Sequence, residues 1–417
     1  MNLRTAVLSA AISAATAFPV LAGQATSPLL FDRDLTVGAG ATIAATLGEA
    51  LARAEDAVVP QRLFAERGMF RRSANVTFRW MKLALFDAPQ ERVLMVANHE
   101  VFGHGARLRE RFDGPIGYRI DLPPPYGRGG GSTSFVFDRQ PTHHDLLAID
   151  VAGMEANGVA AGIAAHGAFS RGRIRVRDAL RYLAFELDTF SYILRTDDEG
   201  EEPGHDVAGF LDTYNALAVS AGAATLTART LRREALVSLA NPMLAYALVG
   251  IGRYVWNGAT DVGVPALSIA GIRYLPILRY RLTPYGTEWS IMNELGGRLE
   301  PMQIEVRIGR SPQATPWGIG ARRRRVASWL GWGIDASVEV WRQPRITGTV
   351  NEALTTDTHL GAQLRGRAER PLIPLWFGSA PATIIIDVGL KSAGFVPGDP
   401  LRGGAVARAG LGLPLGP

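Results

Sequence analysis

The chain is 417 residues long, carries a formal net charge of +5 and contains no cysteine. A cysteine-free chain excludes a disulfide framework, thiolate metal ligands and a thiol nucleophile, so any metal must be held by His, Asp or Glu. The positive balance does not call for nucleic acid, because Lys82 and Lys391 are the only lysines and the arginine skew reads as composition rather than a binding surface.

Met1 to Arg4 supply a charged start, Thr5 to Leu21 an apolar, small-residue stretch, and Val20-Leu21-Ala22 a cleavage site before Gly23. Residues 1–22 therefore read as a secretory signal, which directs the mature chain to the envelope of a Gram-negative cell, periplasm or outer membrane. Ala41 to Ala57 and Val76 to Phe86 then show apolar residues at helical spacing. Pro89 suits the first turn of a further helix, on which Val93, Val96 and Glu100 share a face.

That helix leads into His99-Glu100-Val101-Phe102-Gly103-His104. Two imidazoles and a carboxylate are the groups of a hydrolytic zinc site, in which neutral His nitrogens hold the metal and a non-ligand Glu takes a proton from the water. In the H-E-x-x-H spacing the histidines lie about 40° apart around a helix, whereas i and i+5 lie about 140° apart. A π-bulge, or a helix loosened at Gly103, would absorb the extra residue and return both rings to one side.

Downstream, two extended segments, Tyr118 to Asp121 and Ser132 to Asp138, flank a Pro/Gly cluster and predict a hairpin or flap, or else a surface loop. In zinc peptidases a nearby strand edge commonly holds the substrate backbone. Ile149 to Ala168 is an Ala/Gly-rich helix whose Gly153, Gly158 and Gly162 permit close packing, and it carries Glu155 and His166. Val176 to Arg195 is helical, and an acidic loop, Asp197 to Glu202, leads into Gly204-His205-Asp206. Ala235 to Ile251, interrupted at Asn241-Pro242, falls short of a spanning helix and reads as buried or interfacial. From about Ser268 the period changes to two, with about eight candidate strands to the C-terminus and tryptophans near their ends. An outer-membrane barrel and a soluble antiparallel sheet both alternate in this way. The run Arg322-Arg323-Arg324-Arg325 meets either anionic lipid, lipopolysaccharide included, or solvent.

At His99 to His104 the chain resembles the H-E-x-x-G-H signature of dipeptidyl peptidase III, a zinc exopeptidase family. The resemblance is confined to those residues; it implies zinc ligation by His99 and His104 and a general-base role for Glu100. The family's downstream Glu-Glu-x-Arg/Lys-Ala-Asp pattern, which supplies the third ligand, is missing here. Glu155 takes that role by position and chemistry, since a carboxylate on an apolar helix needs a partner; burial beside an arginine would satisfy it equally. His143-His144-Asp145 is the competing source of a ligand. Asp150 is a candidate acceptor for a ligand imidazole N–H, and His205, with Tyr214 as alternative, is a candidate oxyanion donor. His166 reads as a packed histidine, and His359 has no assigned role.

The sequence thus predicts an α+β protein: a signal (1–22), a helical metallopeptidase-like domain (23–262) and an antiparallel β domain or membrane barrel (263–417). Its expected activity is zinc-dependent hydrolysis of a peptide or protein. A non-catalytic outer-membrane barrel and a zinc amidase acting on lipid or cell-wall substrates are the alternatives.

Overall fold

The computed structural model of the chain describes residues 27–65, 68–197, 205–298, 300–312, 314–345, 358–372 and 381–413. The predicted signal, 1–22, lies outside them, as does most of the acidic loop before His205. A short strand β1 (Ser27–Phe31) and helix α1 (Val37–Val58) come first. A continuous helical run follows: α2 (Met69–Lys82), a π-helical turn Leu83–Asp87, α3 (Ala88–Ala97), a second π turn Asn98–His104, and α4 (Gly105–Arg111). The junction residues Leu83, Ala88, Asn98 and Gly105 all keep right-handed helical backbone angles, so the register changes without a break.

The predicted hairpin is present as β2 (Ile116–Ile120) paired antiparallel with β3 (Gly131–Phe135). Then come α5 (His143–Asp150), α6 (Ala152–Arg171), β4 (Arg173–Arg175), α7 (Val176–Glu186), α8 (Asp188–Arg195), α9 (Asp206–Ser220), α10 (Ala228–Ala235), α11 (Pro242–Asn257) and β5 (Asp261–Gly263). Thr142 and Asp145 form a reciprocal capping box at the start of α5. Asn241 breaks the apolar segment 235–251 and caps α11, accepting from the Met243 N–H. Among the described residues no single helix is long and apolar enough to cross a membrane.

Helix α6 is central because its small residues let neighbours approach. Ala160, Ala161, Ala165 and Ala168 are fully buried in the main core with Met95, Tyr182, Phe185 and Met243. A buried ionic band ties the helical run to α1 and α7. Lys82 bonds Asp87 at 2.9 Å and also pairs with Glu55. Arg177 reaches Asp87 at 2.6 Å and Glu55 at 3.0 Å, and Arg181 grips Glu91 at 3.0 and 3.1 Å. These charges compensate one another away from water, which fixes the axis of α3 just ahead of the second π turn.

The remaining strands are β6 (Leu267–Ile269), β7 (Ile272–Thr283), β8 (Gly286–Gly297), β9 (Met302–Arg310), β10 (Trp317–Trp329), β11 (Trp332–Pro344), β12 (Thr358–Pro371), β13 (Thr383–Lys391) and β14 (Gly404–Leu413). They form an antiparallel meander, and β1 adds to β14, giving a ten-stranded sheet in the order β1-β14-β13-β12-β11-β10-β9-β8-β7-β6. The period-two reading of the C-terminal region is therefore met, and of its two alternatives the closed barrel is not: β1 and β6 are edges, and the sheet is open between them. Helix α1 packs on β1, and α6, α10 and α11 pack on β7, so helices occupy the gap. The arginine run lies within β10 and not in a loop. Arg322 and Arg324 line an internal cavity, and the register with β11 shifts between Arg323 and Ala327.

Candidate metal centre

The second π turn supplies the geometry that the sequence spacing requires. The Gly105 N–H donates to the Glu100 carbonyl five residues back, so residues five apart come round to the same side. The His99 and His104 rings lie 4.9 Å apart between centroids, inclined at 62°. Gly103 sits against α6, where a Cβ would lie 2.5 Å from the Gly153 Cα. Gly153 in turn leaves room for the His99 ring, which a Cβ there would meet at 2.2 Å. Both positions must lack a side chain for the histidine turn to touch α6.

The third member is Asp206, the first residue of α9. Its Oδ2 lies 2.8 Å from His99 Nε2 and 3.3 Å from His104 Nε2. Donor atoms of His99, His104 and Asp206 all fall within 4.8 Å of one another, and no other such three-residue group occurs among the described residues. Tetrahedral ligands at bonds of about 2.0–2.1 Å lie about 3.3 Å from one another, close to the separations seen here.

Each outer imidazole nitrogen already has an acceptor. His99 Nδ1 donates to Asp188 Oδ2 at 3.0 Å, and Asp188 is itself fixed by Asn157, which accepts from Asn98. His104 Nδ1 donates to the Ile149 carbonyl at 2.8 Å. With Nδ1 carrying hydrogen, the neutral tautomer leaves an Nε2 lone pair on each ring, and both lone pairs face a carboxylate oxygen. That arrangement needs a cation, either protons on the rings or a metal ion between the donors. Burial alone would lower both imidazole pKa values, but Asp188 beside His99 and Asp206 beside His104 more than offset it and raise both. Burial would likewise raise Asp206, yet the two histidines hold it well below the usual carboxylate range. The donor set fits a divalent ion with a preference for imidazole, and the group could hold one.

Glu100 is not among the converging donors. It is 5% exposed, and its Oε2 accepts from Thr133 Oγ1 of the hairpin at 2.7 Å. The ring of Tyr192 stacks on His99 at 5.2 Å and 13°. His205 caps α9, its Nδ1 accepting from the Ala208 N–H at 3.4 Å, and its ring stands 5.3 Å from Tyr192. His205 is thus next to the centre, one residue before Asp206.

Several sequence assignments are corrected. Glu155 is not a ligand: Arg107 holds its carboxylate through bonds of 2.6, 2.7 and 3.1 Å, and the Gly398 N–H adds another at 2.9 Å. His143 and His144 stand outside the cluster at the start of α5; burial, and then the nearby Arg111, push His144 down to about 4, so it is neutral. Asp150 does not orient an imidazole. That work falls to Asp188 and to the Ile149 carbonyl, while burial and then the Asp206 charge push the Asp150 carboxyl up to about 8. Tyr214 packs in the core beside Phe210 at 5.8 Å. His166 bonds Glu294 at 2.8 Å and His359 bonds the Ala393 carbonyl at 2.8 Å.

Asp206, Asp188, Asn157 and Tyr192 escape a reading of the sequence. The one usable signal is an aspartate directly after the singled-out His205 at a helix start, where a carboxylate is also an ordinary cap. Comparison of this chain with protein-family models, curated proteins and solved structures returned no match.

Proposed function

We propose that the protein is an exported zinc-dependent hydrolase that cleaves peptide bonds, with His99, His104 and Asp206 as metal ligands and Glu100 as general base. The observation that carries this reading is the convergence of two oriented imidazole Nε2 atoms and one carboxylate oxygen beside a glutamate that stays out of the donor set. The resemblance of His99 to His104 to a zinc exopeptidase signature supports zinc over other ions. When bound, zinc polarises a carbonyl oxygen and acidifies a water to near neutrality.

The chain does the rest. Asp188 and the Ile149 carbonyl lock the ring orientations, and Tyr192 covers the His99 face. Thr133 holds one oxygen of Glu100 and leaves the other to take the water proton, which Glu100 then delivers to the leaving amine. His205, which caps α9 one residue before Asp206, would stabilise charge developing on the substrate oxygen. The β2–β3 hairpin, whose Thr133 touches Glu100, is the strand edge along which an extended substrate would lie.

The test is Glu100→Gln assayed on peptides alongside acylated and glycan amides. The variant should retain zinc and lose turnover by about 10²–10⁴-fold. Unchanged turnover would refute the mechanism, and cleavage confined to the non-peptide amides would move the substrate class while leaving the centre intact.

A further inference from the structure

We infer that the outer face of the sheet lies against the acyl chains of a lipid bilayer. This stands on the sheet alone and does not depend on the hydrolase reading. In a soluble sheet covered by helices on one side, the covered face is apolar and the open face polar. Over β9 to β14 the order is reversed.

There the covered face is lined largely by charged side chains, whereas on β7 and β8 it carries Leu275, Ile277 and Met292, which join the helical core. Asp335, Arg367, Asp387 and Arg408 are direct cross-strand neighbours on β11, β12, β13 and β14, forming a row of alternating sign. Arg365 bonds Asp399 at 3.0 Å and pairs with Asp387, and Arg307 pairs with Glu339 across β10. Asp335, Arg365, Arg367, Asp387, Asp399 and Arg408 line a cavity of about 400 Å³ to which β1, every strand β7 to β14 and α6 contribute. A sheet whose strands all contribute to one cavity is curved around it, so its other face is convex.

The convex face is apolar and open. Ile291, Val306, Ile319 and Val340 are successive cross-strand neighbours on β8 to β11, and Val338, Leu364 and Leu390 continue the band over β11 to β13. Exposure runs from 37% at Val340 to 68% at Leu390, so the band is left uncovered by the described residues. On β13 the alternate residues Ile384, Ile386, Val388 and Leu390 cover about 20 Å at ~3.4 Å per residue, against a typical lipid-facing band about 25 Å tall. One margin of the band is the row Trp289, Ile308, Trp317, Arg342, with Arg310 over the Trp289 ring. Tryptophan and arginine together mark the level of lipid headgroups.

A convex surface is poorly matched to a second copy of itself, whereas acyl chains conform to it. Open edges are not tolerated in hydrocarbon. Helix α1 covers β1, and β6 is only 3 residues long, so the helices complete the wall that the sheet leaves open.

The cysteine-free chain allows a direct test. Ile319→Cys, Val338→Cys and Val388→Cys, each in the otherwise native full chain, carry a nitroxide label on the band, and Arg128→Cys carries one on the exposed loop of the hairpin. The protein is reconstituted into vesicles of phosphatidylethanolamine and phosphatidylglycerol, and label accessibility to oxygen and to a nickel chelate is measured. The three band labels should favour oxygen several-fold over the chelate, and the Arg128→Cys label should show the reverse. Equal chelate accessibility at all four positions would overturn the proposal in favour of a water-facing surface. Protection from both reagents with spin–spin broadening would overturn it in favour of a second copy. Unlabelled wild-type protein gives an independent reading: it should stay with the vesicles through an alkaline carbonate wash, and its release would count against insertion.

Discussion

Two carboxylates set the helical part of this protein in relief. Glu155 is buried and Asp206 partly so, and each needs a cation. Glu155 has one built in: Arg107, on the helix just after the histidine turn, grips it with two nitrogens. Asp206 has only the Nε2 atoms of His99 and His104, whose opposite nitrogens are committed elsewhere. What separates them is the partner that the fold supplies, an arginine for Glu155 and two imidazoles for Asp206.

This contrast can be broken experimentally. Arg107→Ala strands the Glu155 charge and should cost about 3–5 kcal/mol, read by chemical denaturation. The double replacement Arg107→Met with Glu155→Leu should recover part of that loss, because the Glu155 charge goes with its partner while Glu110 still loses its Arg107 contact. If the single variant were neutral, the Glu155 pair would not be the structural counterpart described here. Asp188→Asn acts on the other carboxylate's side by disturbing the His99 tautomer. It should weaken metal affinity 10–100-fold with a smaller effect on folding. Gly153→Ala forces a methyl into the His99 ring and should cost about 1–3 kcal/mol together with metal affinity; full affinity would show that the π turn can shift freely.

Asp145 shows a third solution, a carboxylate held by a capping box and by Arg111 and Arg139. Burial raises its pKa, but the Arg139 and Thr142 contacts and Arg111 outweigh it and bring it down to about 2. A lowered folded-state pKa contributes stability that is complete above the unfolded value, near 4, and is lost as pH falls toward 2. Asp145→Ala should lower stability at neutral pH by about 1 kcal/mol and flatten the acid limb over that window.

How much of this was legible in the sequence follows from where the information lies. The π turn was, because an extra residue between two histidines and a glycine beside the second are local facts. The hairpin and the C-terminal strands were legible for the same reason: turn residues and period-two alternation belong to short segments. Asp206 was not, since it lies 107 residues from His99 and resembles any acidic helix start. Alternation along β13 shows that one face is apolar and the other polar, but it does not say which face the helices cover. The addition of β1 to β14, which sets one edge of the sheet, joins the two ends of the chain and leaves no local mark.

In the proposed centre Asp206, and not Glu155, completes the metal ligands. Its most direct test is the metal content of wild-type protein, Asp206→Ala and Glu155→Gln after equilibration with zinc and gel filtration, with far-ultraviolet circular dichroism confirming that each is folded. Wild-type and Glu155→Gln should carry one zinc per chain, and Asp206→Ala almost none. Zinc retained by Asp206→Ala, zinc lost from folded Glu155→Gln, or a metal-free wild type would contradict it.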